Sequence, residues 1–215
     1  MKPILTLLEG KWFANRHVST RDLFVPLFSV WTRNPLETCH HEQFTNEQAF
    51  RSAVKYAFQN HRASTIYIGA HGDSRKIHGF HENGISVTVI KNAICKQPPG
   101  TKRGIYFGAC NFVTARNAEV LLKNCDRLSW VAGYDASVNW TDSGILDLYF
   151  FRHLLFPTPG RGNLRPATPK RRLEHAVAKV QDDLGPLATR LKFKVYTRKH
   201  GGGVIELMSN DIEEI

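Results

Sequence analysis

Two side chains capable of nucleophilic chemistry follow two similar apolar runs in this chain. Residues 66–70 (Ile-Tyr-Ile-Gly-Ala) lead directly to His71 and Gly72, and residues 105–109 (Ile-Tyr-Phe-Gly-Ala) lead directly to Cys110. Short apolar runs bounded by turn-forming residues are typical of strands buried on both faces of a parallel sheet. Because the carboxyl ends of parallel strands meet at one edge of a sheet, we expect His71 and Cys110 to share a crevice if these strands are neighbours.

A cysteine beside a histidine can act as a nucleophile. Only the thiolate is strongly nucleophilic, and a neighbouring imidazole can take the thiol proton and later return it to the leaving group. Gly72 suits a tight turn whose amide points at a developing oxyanion, and the amide of Cys110 is the second candidate donor. The alternative is that Cys110 is a buried core thiol and His71 a structural histidine.

The elements that must position this pair form a strand–helix–strand pattern. Residues 4–8 predict a first strand, after which Trp12 and Phe13 are expected to pack at the strand end or line the crevice. A capping box with Thr45 as N-cap predicts a helix that ends near residue 60 and feeds the strand before His71 through a right-handed crossover. We therefore predict an α/β fold with a mostly parallel central sheet between two helical layers.

Further elements follow from apolar periodicity and turn residues. We expect one domain over residues 1–215, with a Pro/Gly-rich basic loop at 157–170 and a C-terminal helix and hairpin at 171–215. Asn83-Gly84 predicts a hairpin turn beside His71. The other expected helices are 22–31, 88–95, 114–125, 140–156 and 173–184, and the other strands are 37–44 (an edge strand), 128–134, 191–196 and 204–208.

The order of these features resembles the caspase-like cysteine peptidases of clan CD, which include caspases, gingipains, legumain, separase and the bacterial CHAT domains. The shared pattern is an apolar strand before His-Gly, here at His71, and a second one before Gly-Ala-Cys, here at Cys110. Residues 130–135, followed by 140–144 and the apolar helix after them, are similar to the stretch after the nucleophile in CHAT domains. The resemblance covers residues 60 to 156.

The resemblance implies a caspase-like three-layer sandwich, a His71–Cys110 dyad and hydrolysis of a peptide bond without a cofactor. Gly72 is the third position that matches. Relatives that cleave after Arg or Lys often carry an acidic residue just before the nucleophile, where this chain has Gly108 and Ala109. The Gln-Ala-Cys-Arg-Gly pattern of caspases is also absent. Neither basic nor acidic primary specificity is therefore predicted.

Two residues near the nucleophile are candidates for a substrate pocket. Asn111 follows Cys110 directly, and Asp135 stands at the end of the predicted strand 128–134. Asp135 could orient an imidazole, bind a basic substrate group or cap a turn, and the sequence leaves these three roles open.

Composition bears on partners. The formal net charge of +10 favours an acidic partner such as nucleic acid, with a solvated basic surface as the alternative. Lys170, Arg171 and Arg172 are the candidates for weak nucleic-acid binding. The other expected partners are a peptide or protein substrate and a regulatory protein. No apolar run approaches the length of a membrane span, so no membrane association is predicted.

The cysteines predict a compartment. Cys39, Cys95, Cys110 and Cys125 lie far apart, with no Cys-x-x-Cys pair. Such spacing favours free thiols, a reducing environment and a cytoplasmic protein. Cys95 and Cys125 are therefore expected to have no partner and no chemical role.

The run Cys39-His40-His41 contains metal-ligand residue types, and His78 and His81 could be imagined as partners. No recognised ligand spacing links them, so no metal site is predicted. Two rivals to a peptidase stay open at this point. The fold could serve as an interaction module without turnover, or the basic loop and C-terminal helix could bind nucleic acid.

Overall fold

The computed structural model describes residues 4–12, 19–32, 39–60, 63–80, 83–123, 125–157, 168–199 and 201–208. Within these ranges the strands are β1 (Leu5–Gly10), β2 (Cys39–Phe44), β3 (Thr65–Gly69), β4 (His71–Gly72), β5 (Lys76–His78), β6 (Ile85–Ser86), β7 (Arg103–Gly108), β8 (Leu128–Tyr134), β9 (Phe193–Arg198) and β10 (Val204–Glu206). The helices are α1 (Thr20–Trp31), α2 (Glu47–Asn60), α3 (Val87–Cys95), α4 (Ala115–Leu122), α5 (Trp140–Leu155) and α6 (Pro169–Arg190).

Seven strands form the central sheet, in the order β10-β9-β8-β7-β3-β1-β2. Five adjacent strands of this sheet pair in parallel, namely β2, β1, β3, β7 and β8. Strands β9 and β10 add an antiparallel edge. The expected edge strand is β2, and the expected C-terminal hairpin is β9–β10. The predicted mostly parallel sheet is therefore confirmed, and β3 and β7, which lead to His71 and Cys110, are direct neighbours.

Alternating side chains of the parallel strands build two apolar layers, one on each face of the sheet. On one face, Ile66, Ile68 and Phe107 pack with buried side chains of α2, α3 and α4. On the other face, Tyr67 and Tyr106 pack with buried side chains of α1, α5 and α6. The predicted layers of helices on both faces are thus confirmed.

A second, three-stranded sheet follows β3 at the edge where the sheet strands end. Strand β4 pairs antiparallel with β5, with His71 opposite His78, and β5 pairs antiparallel with β6, with Ile77 opposite Ile85. The hairpin expected around Asn83-Gly84 is therefore present as β5 and β6. Because Ala70 alone separates β3 from β4, this small sheet fixes the backbone of His71 at the end of the central sheet.

Helix starts differ in detail from the predictions. The expected N-cap of α2, Thr45, is wrong by one residue, because Asn46 Oδ1 accepts a hydrogen bond from Ala49 N at 2.9 Å. Both threonine and asparagine are favoured as N-caps of helices, so the residue type alone does not decide which of the two caps α2. The expected cap of α4 is confirmed, since the Thr114 side chain accepts from Asn117 N. Helix α6 begins four residues earlier than predicted, because Thr168 caps it and Pro169 fits its first turn.

Cys95 and Cys125 form a disulfide, so the prediction that they lack a partner is wrong. The two residues are 30 positions apart in sequence, but α3 and the residues after α4 meet on one face of the sheet and bring their Cα atoms to 5.4 Å. Disulfides are typical of oxidising compartments, so the inference from cysteine spacing to a reducing environment fails. The cytoplasmic location stays a prediction. Cys39 and Cys110 are free thiols.

The predicted basic loop lies largely outside the described residues, since 158–167 are not among them. Lys170 at its end, with Arg171 and Arg172 directly after it, lies exposed in the first turn of α6. None of the helices in the described ranges is both long and apolar enough to cross a membrane.

Candidate active site

His71 and Cys110 leave the same edge of the central sheet. Their strands pair in parallel up to Gly69 opposite Gly108, and Ala70 N then donates a hydrogen bond to the Gly108 carbonyl at 3.3 Å. His71 is exposed, and Cys110 is half-buried. The sheet thus places the two predicted residues at the ends of neighbouring strands, on the same edge.

The backbone of Gly72 packs directly against Cys110. A Cβ atom at position 72 would lie 2.8 Å from the Cys110 carbonyl oxygen and 3.0 Å from Ala109 Cβ. Contacts this close are not tolerated between real atoms, so only glycine fits without a shift of the backbone. The turn after His71 and the turn at Cys110 therefore lie against each other.

The Cys110 thiol is held by the loop that follows β8. The Val138 amide donates to Sγ at 3.4 Å, and Sγ lies 3.6 Å from the Val138 carbonyl oxygen. Asn111 adopts a left-handed conformation with φ of 55°, which asparagine tolerates better than most residues, and its amide donates to the Ala136 carbonyl at 2.9 Å.

The His71 ring is oriented by Trp12. Nε2 of His71 lies 2.9 Å from the Trp12 carbonyl oxygen, and a carbonyl can only accept, so Nε2 carries the hydrogen. In the neutral ring, Nδ1 is then the nitrogen with the lone pair. The Trp12 indole also meets the imidazole edge-on, with ring centroids 5.2 Å apart. Trp12 therefore packs beside His71 after the end of β1. That it lines a crevice stays a prediction, and Phe13 lies outside the described residues.

Trp12 also contacts Trp140, the first residue of α5, edge-on with ring centroids 5.2 Å apart. The Trp140 side chain is 39% exposed. Trp12 thus packs its indole against both the His71 ring and the Trp140 ring.

A buried carboxylate lies beneath the strands that carry the pair. Asp147 of α5 accepts hydrogen bonds from the hydroxyls of Tyr67 at 2.7 Å, Tyr134 at 2.5 Å and Tyr106. Burial raises the pKa of Asp147 to about 6, although the three hydroxyls partly offset this effect. A Cβ atom on Gly108 would lie 1.9 Å from the Tyr67 hydroxyl oxygen, so this network fills the space directly under the strand that leads to Cys110.

Asp135 lies in an open cavity of about 820 Å³ at the end of β8. Its amide donates to the Lys192 carbonyl at 3.0 Å, and the cavity also exposes Lys194 and Glu206, which form an ion pair at 2.6 Å. In the described part of the chain, neither His71 nor Cys110 lines this cavity. The pocket role of Asp135, like that of Asn111, stays a prediction.

The residues considered for a metal site have other partners. His40 lies 3.2 Å from Glu42, and His78 lies 3.0 Å from Asp73. Burial raises the pKa of the Cys39 thiol to about 12, an effect that the charge of Arg21 only partly offsets. His81 lies outside the described ranges, and within them no three His, Cys, Asp or Glu side chains are grouped so that they could hold a metal ion.

Comparisons with known proteins give a likeness at the level of structure and none at the level of sequence. No protein-family model matches the chain, and no curated protein is detectably similar to it. Among solved structures, the chain is similar to that of a secreted C11 cysteine protease from Bacteroides thetaiotaomicron, "iotapain", at 12% identity and a TM-score of 0.46. The match covers 73% of this chain and 64% of that protein, so this chain spans less than two thirds of its length.

Sequence reasoning assigned no role to Glu9, Val138 or Asp147. Glu9 and Asp147 carry a recognisable signal, because each is an acid placed among apolar residues of a buried strand or helix. A buried charge is costly unless it is hydrogen-bonded, so such an acid indicates a polar network. Val138 contacts Cys110 through its backbone, and no residue type signals that contact.

Proposed function

We propose that this chain is a caspase-like cysteine peptidase in which Cys110 is the nucleophile and His71 the proton carrier. The observation that supports this most is the convergence of both residues at one edge of neighbouring parallel strands, with Gly72 packed on the Cys110 backbone. The hydrogen bond from His71 Nε2 to the Trp12 carbonyl adds a second support, because it leaves Nδ1 as the basic nitrogen.

The proposed reaction has two halves. Nδ1 of His71 takes the thiol proton, and Sγ of Cys110 attacks the scissile carbonyl carbon, whose oxygen becomes negative and accepts hydrogen bonds from the amides of Gly72 and Cys110. The C–N bond then breaks, and the imidazolium gives its proton to the leaving amine. In the second half, His71 takes a proton from water, which hydrolyses the thioester and releases the carboxylic acid and the free thiol.

The substrate class follows from the side chains around the pair. Trp12 packs its indole against His71 and contacts Trp140 in turn, and Gly108 and Ala109 before the nucleophile offer no charge to pair with a basic or acidic side chain. We therefore expect peptides with an apolar residue next to the scissile bond to be preferred. Lys- and Arg-terminated fluorogenic peptides should be cleaved more slowly than matched Leu- or Phe-terminated ones.

A peptidase assay with matched cysteine variants tests the proposal. Cys110→Ala should abolish cleavage of a fluorogenic peptide library, whereas Cys39→Ala should leave turnover within about twofold, because Cys39 is buried at the far end of β2. Undiminished turnover in Cys110→Ala would exclude Cys110 as the nucleophile. Absence of turnover in the parent, together with an unreactive Cys110, would favour the interaction module.

A further inference from the structure

Glu9 is a buried acid at the end of β1, where the alternation of the strand places it on the same face as Leu5 and Leu7. Its side chain is 1% exposed. Its carboxylate accepts five hydrogen bonds: from Trp12 Nε1 at 2.8 Å, Ser19 Oγ at 2.7 Å, Thr20 N at 2.5 Å, Thr20 Oγ1 at 2.6 Å and His41 Nε2 at 2.8 Å.

These contacts keep Glu9 ionised. Burial alone would raise its pKa, but the hydrogen bonds from His41, Thr20 and Ser19 together outweigh burial and lower the pKa of Glu9 to about 2. The carboxylate also lies at the first residue of α1, where the helix dipole favours negative charge. Glu9 is therefore a fixed anion over the whole physiological pH range.

Trp12 links this anion to His71. Its indole N–H donates to Glu9, its carbonyl accepts from His71 Nε2 at 2.9 Å, and its ring edge meets the imidazole. One residue thus carries a side-chain bond to the carboxylate and a main-chain bond to the histidine. A backbone carbonyl can fix a ring's tautomer only if the segment that bears it is itself held in place.

We propose that Glu9 is a positioning residue for His71. By holding the Trp12 indole, Glu9 fixes the carbonyl that keeps hydrogen on Nε2 and turns Nδ1 towards the nucleophile. Glu9 touches no reacting atom and acts only through Trp12. The inference rests on the proposed His71–Cys110 dyad. It adds the contacts, from Glu9 to Trp12 and from Trp12 to His71, that orient the imidazole.

A purely structural role is the rival explanation, since Glu9 also joins β1 to the start of α1 and to β2. That role predicts lower stability without a change in the way His71 activates Cys110. The pH profile of Cys110 reactivity separates the two, because it reports the coupling between thiol and imidazole rather than the fraction folded.

The experiment measures the rate of Cys110 alkylation by iodoacetamide between pH 5 and 9, read by peptide mass in the intact, disulfide-bonded chain. Trp12→Phe is the first variant, because it keeps an aromatic ring and the backbone carbonyl but removes the N–H that donates to Glu9, together with part of the indole ring. Glu9→Gln is the second variant. Arg103→Lys is the matched control, since Arg103 is also buried and hydrogen-bonded but lies at the opposite end of the sheet, where it donates to the Ala57 carbonyl.

Trp12→Phe and Glu9→Gln should each lower the alkylation rate at pH 7 by about five- to tenfold and move the profile towards that of His71→Ala, the effect expected from losing one orienting hydrogen bond. Arg103→Lys should lower the melting temperature and leave the profile unchanged. A parent-like profile in folded Trp12→Phe would overturn the positioning role, and this variant decides alone if Glu9→Gln does not fold. If His71→Ala itself keeps the parent profile, the dyad fails rather than the link to Glu9, and the inference falls with it.

Discussion

Glu9 and Asp147 are both buried carboxylates on the same side of the central sheet, each 1% exposed, but their ionisation differs. The pKa of Glu9 is lowered to about 2, and that of Asp147 is raised to about 6. Burial pushes both pKa values upward. The hydrogen-bond donors decide the outcome, because they outweigh burial at Glu9 and fail to do so at Asp147.

The kind of donor explains the difference. Glu9 accepts from a histidine, from a backbone amide at a helix start and from hydroxyls near the rim of the sheet. Among the described residues, Asp147 accepts from three tyrosine hydroxyls in an aromatic layer, where little else stabilises a charge. Glu9 at the end of β1 therefore serves as a permanent charge, whereas Asp147, under the strand that leads to Cys110, changes protonation near pH 6.

Removing Glu9 should have the largest effect on stability. Glu9→Ala leaves the donors of Trp12, Ser19, Thr20 and His41 without their acceptor, and each unsatisfied buried donor costs about 1–3 kcal/mol. We expect a loss of about 3–5 kcal/mol in the free energy of unfolding, measured by urea denaturation at pH 7. Glu42→Ala on the neighbouring strand is the control and should cost under about 1 kcal/mol, since its pair with His40 is more exposed. Equal losses would mean that the Glu9 network is not a stabilising unit.

Asp147 should make stability depend on pH in the opposite sense to Glu9. Its folded pKa of about 6 lies above the ordinary 3.8, so between these values the folded chain holds a proton that the unfolded chain has lost. Stability is therefore lost as pH rises from about 4 to 6, by about 3 kcal/mol. The stability of the parent relative to Asp147→Asn should fall by that amount between pH 4 and pH 7. A constant difference across this range would contradict the raised pKa.

Removing one donor sharpens the same comparison. Tyr67→Phe keeps the ring and deletes the hydroxyl that donates to Asp147 at 2.7 Å, so the pKa of Asp147 should rise further. We expect the free energy of unfolding at pH 7 to fall by about 1–2 kcal/mol. The pH range over which stability is lost should also extend to higher pH, because its upper end is set by the folded pKa of Asp147. Urea titrations at intervals of half a pH unit would detect this. An unchanged window would mean that the Tyr67 hydroxyl does not stabilise the carboxylate.

The smallest effect is expected from His41→Leu. Loss of its hydrogen bond should raise the pKa of Glu9 from about 2 towards the ordinary 4.5, while water replaces part of the bond because His41 is partly exposed. The depressed pKa gives stability that is present above pH 4.5 and lost as pH falls through 2, so acid unfolding of the variant should begin at higher pH. The cost at pH 7 should be about 1 kcal/mol. Circular dichroism between pH 5 and 2 measures the midpoint pH of acid unfolding. The same midpoint in the variant and the parent would contradict the role of His41.

The sequence predicts the central part of this fold well because the signal there is local. The apolar runs before His71 and Cys110 and the run 128–134 are buried strands, and Asn83-Gly84 lies between paired strands. Strand identity, parallel pairing and the meeting of both residues at one edge all follow from patterns a few residues long.

The contacts that the sequence does not predict join distant positions. The Cys95–Cys125 disulfide depends on how α3 and α4 pack, and the bond from Glu9 to His41 spans 32 positions. The contact between Cys110 and Val138 uses backbone atoms, which every residue type offers. Such features arise from packing in three dimensions. Their clearest signal in the sequence is an acidic residue within an apolar run.

The pH dependence of alkylation at Cys110, in the parent and in His71→Ala, tests the dyad most directly. Cys39 serves as the internal control in the same sample, because it is buried and its pKa is raised to about 12. The account predicts that Cys110 alone reacts rapidly below neutral pH and that His71→Ala abolishes this reactivity. A Cys110 that is as inert as Cys39, or whose profile is the same in His71→Ala, would contradict the dyad and direct attention to binding partners instead.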